Sequence, residues 1–138
     1  MPTVLVVDDS ATTRKVVIES IQDAGFERCQ FIEASDGAEA LETLSKHDID
    51  LILCSIDMPN PTCIRFVRCV RDPKPMQANV DHHSALRERA RQRIPIVILS
   101  TEQGLETVQA ALAAGANDYL KQPFTPDQLE EKLSLLLS

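Results

Sequence analysis

Short apolar runs alternate with longer amphipathic stretches along this chain. The first run, Thr3–Val7, is continuous and rich in β-branched residues, which predicts a strand buried on both faces of a parallel sheet. The next stretch carries Val16, Val17 and Ile21 at helical spacing and stops at Gly25, so it predicts a helix. The same alternation recurs four times. Further strands are predicted at 31–34, 50–54, 96–99 and 118–120, and further helices at 38–46, 62–71, 102–114 and 126–137.

This alternation predicts the fold class. Five strands alternating with five helices favour parallel pairing through right-handed crossovers, hence an α/β, doubly wound, three-layer α/β/α sandwich around a five-stranded parallel sheet. Ligands on such sheets gather at the carboxyl ends of the strands. With 138 residues, the chain is expected to form a single domain over residues 1–138.

Residues 72–93 interrupt the alternation, because they add length that a compact crossover does not need. An insertion is predicted there, with a helix that could resume over Ser84–Arg91. Residues 65–93 carry a net charge of +5 on a chain of −7. Such a run is usually a solvated face, and the alternative is a docking surface for an acidic protein or a phosphate-bearing ligand. The candidate docking residues are Arg65, Arg68, Arg71, Arg87, Arg89 and Arg91.

Other features disfavour several function classes. No apolar run approaches the roughly 20 residues that span a bilayer, and the N-terminus lacks a basic region followed by an apolar one, so a cytoplasmic location without membrane attachment is expected. Phe66 is the one aromatic residue in the basic region, which gives little support for stacking on nucleic-acid bases. No glycine-rich phosphate-binding motif or readable Ser-His-Asp arrangement is present, so we expect no enzyme and no catalytic residue.

Polar residues lie just past four of the predicted strands. On its own, the pair Asp8 and Asp9 is best explained as a cap for the following helix. The whole set consists of Asp8, Asp9, Ser55, Asp57, Ser100, Thr101, Lys121 and Gln122.

Taken together, the motifs at this edge resemble a CheY-like receiver domain of two-component signalling. The matching strings are VLVVDDS, DLILxxIxMP, PIVILST, GANDYL and a closing PF, which cover nearly the whole chain except the insertion. The resemblance implies a flavodoxin-like strand order of 2-1-3-4-5. It also implies that Asp8, Asp9 and the backbone carbonyl of Asp57 hold Mg²⁺, and that Ser100 and Tyr119 form a switch. A histidine kinase or a downstream effector would be the partner.

Two positions depart from the family pattern. Ser55 stands at the phosphate-accepting aspartate and Gln122 at the lysine, while Lys121 is expected on the opposite sheet face. A hydroxyl offers Mg²⁺ no carboxylate and cannot form an acyl phosphate. The two changes compensate in charge, because two carboxylates without a lysine carry the same net charge as three carboxylates with one. Weak Mg²⁺ binding and loss of ordinary phosphotransfer are therefore expected.

Three functional hypotheses remain open. The first is a pseudo-receiver that acts by protein contact. The second is an active phosphorelay receiver with a displaced acceptor, for which Asp57 is the nearest extra carboxylate. The third, from another class, is a small-ligand-binding or enzymatic flavodoxin-like domain.

Overall fold

The computed structural model describes residues 2–58, 62–72, 91–100 and 105–137. One parallel sheet has the order β2-β1-β3-β4-β5, which confirms the predicted fold class and strand order. The strands are β1 (Thr3–Val7), β2 (Gln30–Ala34), β3 (Leu51–Ser55), β4 (Ile96–Ser100) and β5 (Asp118–Lys121). The helices are α1 (Ala11–Asp23), α2 (Gly37–Lys46), α3 (Cys63–Arg71), α4 (Leu105–Ala114) and α5 (Pro126–Leu136). Residues 73–90, which make up most of the predicted insertion, and the first residues predicted for the fourth helix lie outside the described residues.

Two apolar clusters sandwich the sheet. On one face, strand residues such as Leu5 and Ile98 pack against α2, α3 and α4, and Phe66 of α3 is fully buried there. On the other face, strand residues such as Val6 pack against α1 and α5. Because successive strand side chains point to opposite faces, a strand covered on both sides reads as an unbroken apolar run.

Helix α1 corrects one predicted core position. Val17 and Ile21 are buried at a spacing of four residues, as expected for one helix face. Val16 was predicted to share that face but is 54% exposed. Consecutive helix residues point about 100° apart, so Val16 turns to solvent when Val17 faces the sheet.

The start of α1 lies directly at the carboxyl edge of the sheet. Ser10 is the N-cap, and its hydroxyl accepts the Thr13 N–H at 3.2 Å. The cap is therefore Ser10, rather than Asp8 or Asp9. The Asp8 carboxylate instead accepts the Ser10 N–H at 2.8 Å, and this hydrogen bond stabilises the turn between β1 and α1. None of the described helices is long and apolar enough to cross a bilayer.

Candidate functional site at the carboxyl edge of the sheet

The strand register brings Asp8 and Ser55 together. Val7 of β1 pairs with Cys54 of β3, so the next residue on each strand, Asp8 and Ser55, lies side by side at the carboxyl edge. Both are nearly buried, at 7% and 8% exposure. Asp9 and Asp57 follow them and are exposed. The structure thus joins the first and third strand ends in one acidic pocket.

Burial raises the pKa of the Asp8 carboxyl above its ordinary value, because desolvation penalises the charged form. The Ser10 N–H opposes this rise by donating a hydrogen bond to the carboxylate, and the Ser55 hydroxyl does so more weakly. The adjacent Asp9 carboxyl adds to the rise through its negative charge. The charged form of Asp8 is therefore disfavoured in this pocket, and a bound cation would stabilise it.

The Ser55 hydroxyl takes part in the hydrogen bonding of the site. The oxygen accepts the Asp57 N–H at 3.2 Å, and the nearby hydroxyl lowers the pKa of the Asp8 carboxyl slightly. The end of β3 is also hydrogen-bonded to β4, because the Ile56 N–H donates to the Leu99 carbonyl at 2.9 Å. A hydroxyl, rather than a carboxylate, is consequently the group that β3 presents to the pocket.

Lys121 and Gln122 lie where strand alternation places them. Ser55 pairs with Leu99, which pairs with Leu120, whereas Lys121 pairs with Ser100. Lys121 therefore projects to the sheet face opposite to that of Ser55. The half-buried Gln122 begins the next connection, and its N–H donates to the Ser100 carbonyl at 2.8 Å. The residue that follows β5 is therefore a glutamine, and the lysine before it faces the other side of the sheet.

Ser100 and Tyr119 share a sheet face. Tyr119 pairs with Ile98, and Ser100 lies two residues beyond Ile98 on the same strand. Ser100 is buried at the edge of the sheet, while Tyr119 is 39% exposed. The ring borders a surface groove formed with Lys121, Gln128, Glu131 and Lys132. Ser100 and Tyr119 therefore lie on adjacent strands, on the same face of the sheet.

The structure adds Arg14, which the sequence analysis did not identify. Its Nη1 donates to the Asp8 backbone carbonyl at 2.6 Å, and its Nε donates to Glu33 Oε1 at 3.0 Å. Arg14 therefore anchors the acid-bearing turn to β2. A basic residue one helical turn after a serine cap was the available signal, but nothing in the local sequence specified its target.

Comparison with known proteins places this geometry in a family. The family model for the response regulator receiver domain matches residues 4–134. The chain belongs to the response regulator receiver domain family. Chemotaxis protein CheY1 of Helicobacter pylori is 35% identical over 134 residues, covering 96% of this chain and 94% of the relative. This chain is therefore a CheY-like receiver domain of a two-component system.

Solved structures agree with this assignment. The structure of chemotaxis response regulator CheY4 of Vibrio cholerae is 34% identical, covers 99% of this chain and 98% of its own, and superposes with a TM-score of 0.74. The receiver domain of a Pseudomonas aeruginosa sensor histidine kinase has the same fold, with a TM-score of 0.75, 23% identity, and coverage of 99% and 97%. That structure is described with a magnesium ion coordinated in its active-site cleft.

In this receiver domain, the described residues contain no group of three or more His, Cys, Asp or Glu side chains placed to hold a metal ion. Asp8 and Asp9 are the adjacent acids of the pocket, and Ser55 presents a hydroxyl beside Asp8. Receiver domains usually bind Mg²⁺ at this site.

The structure corrects two of the predicted docking residues. Arg65 and Arg68 are exposed on α3, as expected. Arg91 is 1% exposed, and its Nη1 donates to the carbonyls of Cys69 and Val70. Arg71 is half-buried and donates to three acceptors elsewhere in the fold. The reason is that Arg91 supplies donors to the last carbonyls of α3, which lack a full set of partners within the helix, whereas Arg71 links the segment before β4 to the turn after α4. Arg87 and Arg89 lie outside the described residues.

Proposed function

We propose that this receiver domain is a pseudo-receiver, which acts in cytoplasmic two-component signalling through protein contact and has lost ordinary phosphotransfer. Ser55 is the observation that carries the proposal. Its hydroxyl lies at the carboxyl end of β3 beside Asp8 and accepts the Asp57 N–H. An acyl phosphate needs a carboxylate at that position. If Asp8 took the hydroxyl proton, attack of the Ser55 oxygen on phosphorus would break the phosphodonor's bond to its leaving group, release that group and form a phosphate ester, which lacks the transfer potential of the anhydride.

Mg²⁺ would still find a partial site. Asp8 and Asp9 would supply carboxylate oxygens, and the Asp57 backbone carbonyl would supply a further ligand, as the family pattern implies. The raised pKa of Asp8 supports this assignment, because a cation would stabilise the charged carboxylate. Such an ion would neutralise negative charge in the pocket. Because Mg²⁺ is a hard ion that prefers carboxylate oxygen, the missing third acid makes the binding weak.

Signalling without phosphate requires a part of the domain that has two conformations, one of which a partner binds more tightly. Ser100 and Tyr119 share one sheet face, and the ring reaches solvent beside α5. A partner that binds one position of the ring in preference to another would shift the population between them. We propose Ser100 and Tyr119 as that switch, with a histidine kinase or a downstream effector as the partner.

The alternative is an active receiver that uses Asp57. Its carboxyl is exposed, and its backbone N–H contacts Ser55 Oγ, so it lies next to the normal acceptor position. An exposed carboxylate at the rim is accessible to a phosphodonor. It lies one turn beyond the strand end, however, and the register that aligns Ser55 with Asp8 does not extend to it.

Beryllium fluoride, which mimics a phosphoryl group on a carboxylate, tests the pocket as a whole. With Mg²⁺ present, it should leave the melting temperature of the wild-type protein unchanged relative to Mg²⁺ alone. The same addition should raise the melting temperature of the Ser55→Asp variant by several degrees, because a ligand at 100 times its Kd contributes about 2.7 kcal/mol. An equal rise in both proteins, measured by differential scanning fluorimetry, would argue against a pseudo-receiver.

A further inference from the structure

Helix α3 buries one side and exposes arginines on the other. Its buried residues follow the spacing of one helix face: Cys63, Phe66, Val67 and Val70. Arg65 and Arg68 lie on the exposed side, three residues apart. Two positive charges therefore project from neighbouring positions of a helix whose other face is fixed against the sheet.

Unlike several basic side chains of this chain, these two are not used within the fold. Arg14 pairs with Glu33, Lys46 with Glu42, and Lys132 with Asp118. Within the described ranges, the side chains of Arg65 and Arg68 make neither a hydrogen bond nor an ion pair. Their guanidinium groups remain available to an external acid.

Helix stability does not explain both positions. Arg68 lies in the last turn of α3, where a cation is favoured by the helix dipole, but Arg65 lies in the first turn, where a cation is disfavoured. No acidic residue occupies that first turn. Like charges three residues apart are also mildly destabilising. Arg65 therefore acts against the stability of an isolated helix, and its charge also repels that of Arg68.

The segment before β4 adds a third exposed arginine. Arg91 donates to carbonyls of the last turn of α3, and Arg71 donates to the Gln92 carbonyl at 3.1 Å. These bonds hold residues 91–93 against the end of α3, and Arg93 is exposed there. Residues 62–72 and 91–93 together carry a net charge of +4, with Asp72 the acid among them, although the chain carries −7.

We infer that the exposed arginines Arg65, Arg68 and Arg93, the α3 basic surface, form a docking surface for an acidic segment of a partner protein. Charge complementarity selects the partner: the acidic remainder of the molecule repels such a segment, so attraction is concentrated on α3. The inference goes beyond the proposed function because it does not depend on the chemistry of Ser55.

Fluorescence anisotropy with a labelled oligoglutamate peptide tests the inference on the full chain at low ionic strength. The wild-type protein should bind the peptide, and affinity should fall as salt is added. The double substitution Arg65→Glu and Arg68→Glu should weaken binding by about tenfold or more, because both attractions become repulsions. The milder pair Arg65→Gln and Arg68→Gln should weaken it less, and both variants should retain the wild-type circular dichroism spectrum.

A matched control separates this surface from total charge. Lys15→Glu and Arg28→Glu change the net charge by the same amount at exposed positions outside α3, and this variant should keep its affinity within about twofold. The inference is overturned if the wild-type protein does not bind the peptide, or if the control loses as much affinity as the α3 variants. Binding of oligothymidylate that is tighter than binding of the peptide would also overturn it, in favour of nucleic acid.

Discussion

Replacing Ser55 by aspartate and Gln122 by lysine in the same molecule should create a protein that takes a phosphoryl group from acetyl phosphate in the presence of Mg²⁺. Aspartate would place a third carboxylate beside Asp8, where the hydroxyl now lies, and supply both a nucleophile and a metal ligand. Lysine at the half-buried position 122 would balance the added negative charge. Intact mass spectrometry would show the gain of one phosphoryl group.

The two single substitutions separate the effect of adding a nucleophile from the effect of adding a positive charge. Ser55→Asp alone adds an unmatched acid to a pocket in which burial and Asp9 already raise the pKa of Asp8, so it should be phosphorylated at least about tenfold more slowly than the double variant. Gln122→Lys alone should remain unmodified, because it adds no acceptor. A folded double variant that stays unmodified, or phosphorylation of Gln122→Lys alone, would contradict the assignment of these two positions.

Arg71→Ala should lower the free energy of unfolding by about 3 kcal/mol, although Arg71 was first predicted as a docking residue. Its guanidinium donates to the carbonyls of Gly115 and Gln92 and to Asn117 Oδ1, at 3.0, 3.1 and 2.8 Å. Hydrogen bonds from a charged donor typically contribute about 1.5–3 kcal/mol each, and partial exposure reduces the total here. Urea unfolding followed by circular dichroism measures the loss.

The matched control for Arg71 is one helical turn away. Arg68→Ala removes the same type of side chain from an exposed position of α3, so its unfolding free energy should stay within about 0.5 kcal/mol of wild type. Gly115 shows how closely Arg71 is packed, since an added Cβ at this glycine would lie 2.8 Å from Arg71 Cγ. Equal losses in the two variants would mean that the contacts of Arg71 contribute little to stability.

The fold and the composition of the pocket were predictable because they depend on short-range patterns. A strand buried on both faces must be an apolar run, and the residue after its last apolar position must reach the carboxyl edge. Asp8 and Ser55 therefore followed from their places in the chain, as did the absence of a lysine at Gln122.

The roles of the arginines were not predictable from such patterns. Arg14, Arg71 and Arg91 each bind backbone carbonyls, and any residue type presents the same carbonyl. The sequence therefore does not show which residue accepts the hydrogen bond. Arg68 and Arg71 occupy equivalent places in a basic run, but the packing of α3 against the segment before β4 and the turn after α4 makes one a surface residue and the other a structural one.

The mass of the intact wild-type protein after incubation with Mg²⁺ and acetyl phosphate tests most directly whether the acceptor end of β3 has lost its chemistry. A pseudo-receiver should show an unchanged mass, with Ser55→Asp plus Gln122→Lys as the positive control. A stoichiometric gain of one phosphoryl group that hydroxylamine removes would reveal an acyl phosphate and contradict the proposal. If Asp57→Asn abolished that gain and Ser55→Ala did not, Asp57 would be the acceptor.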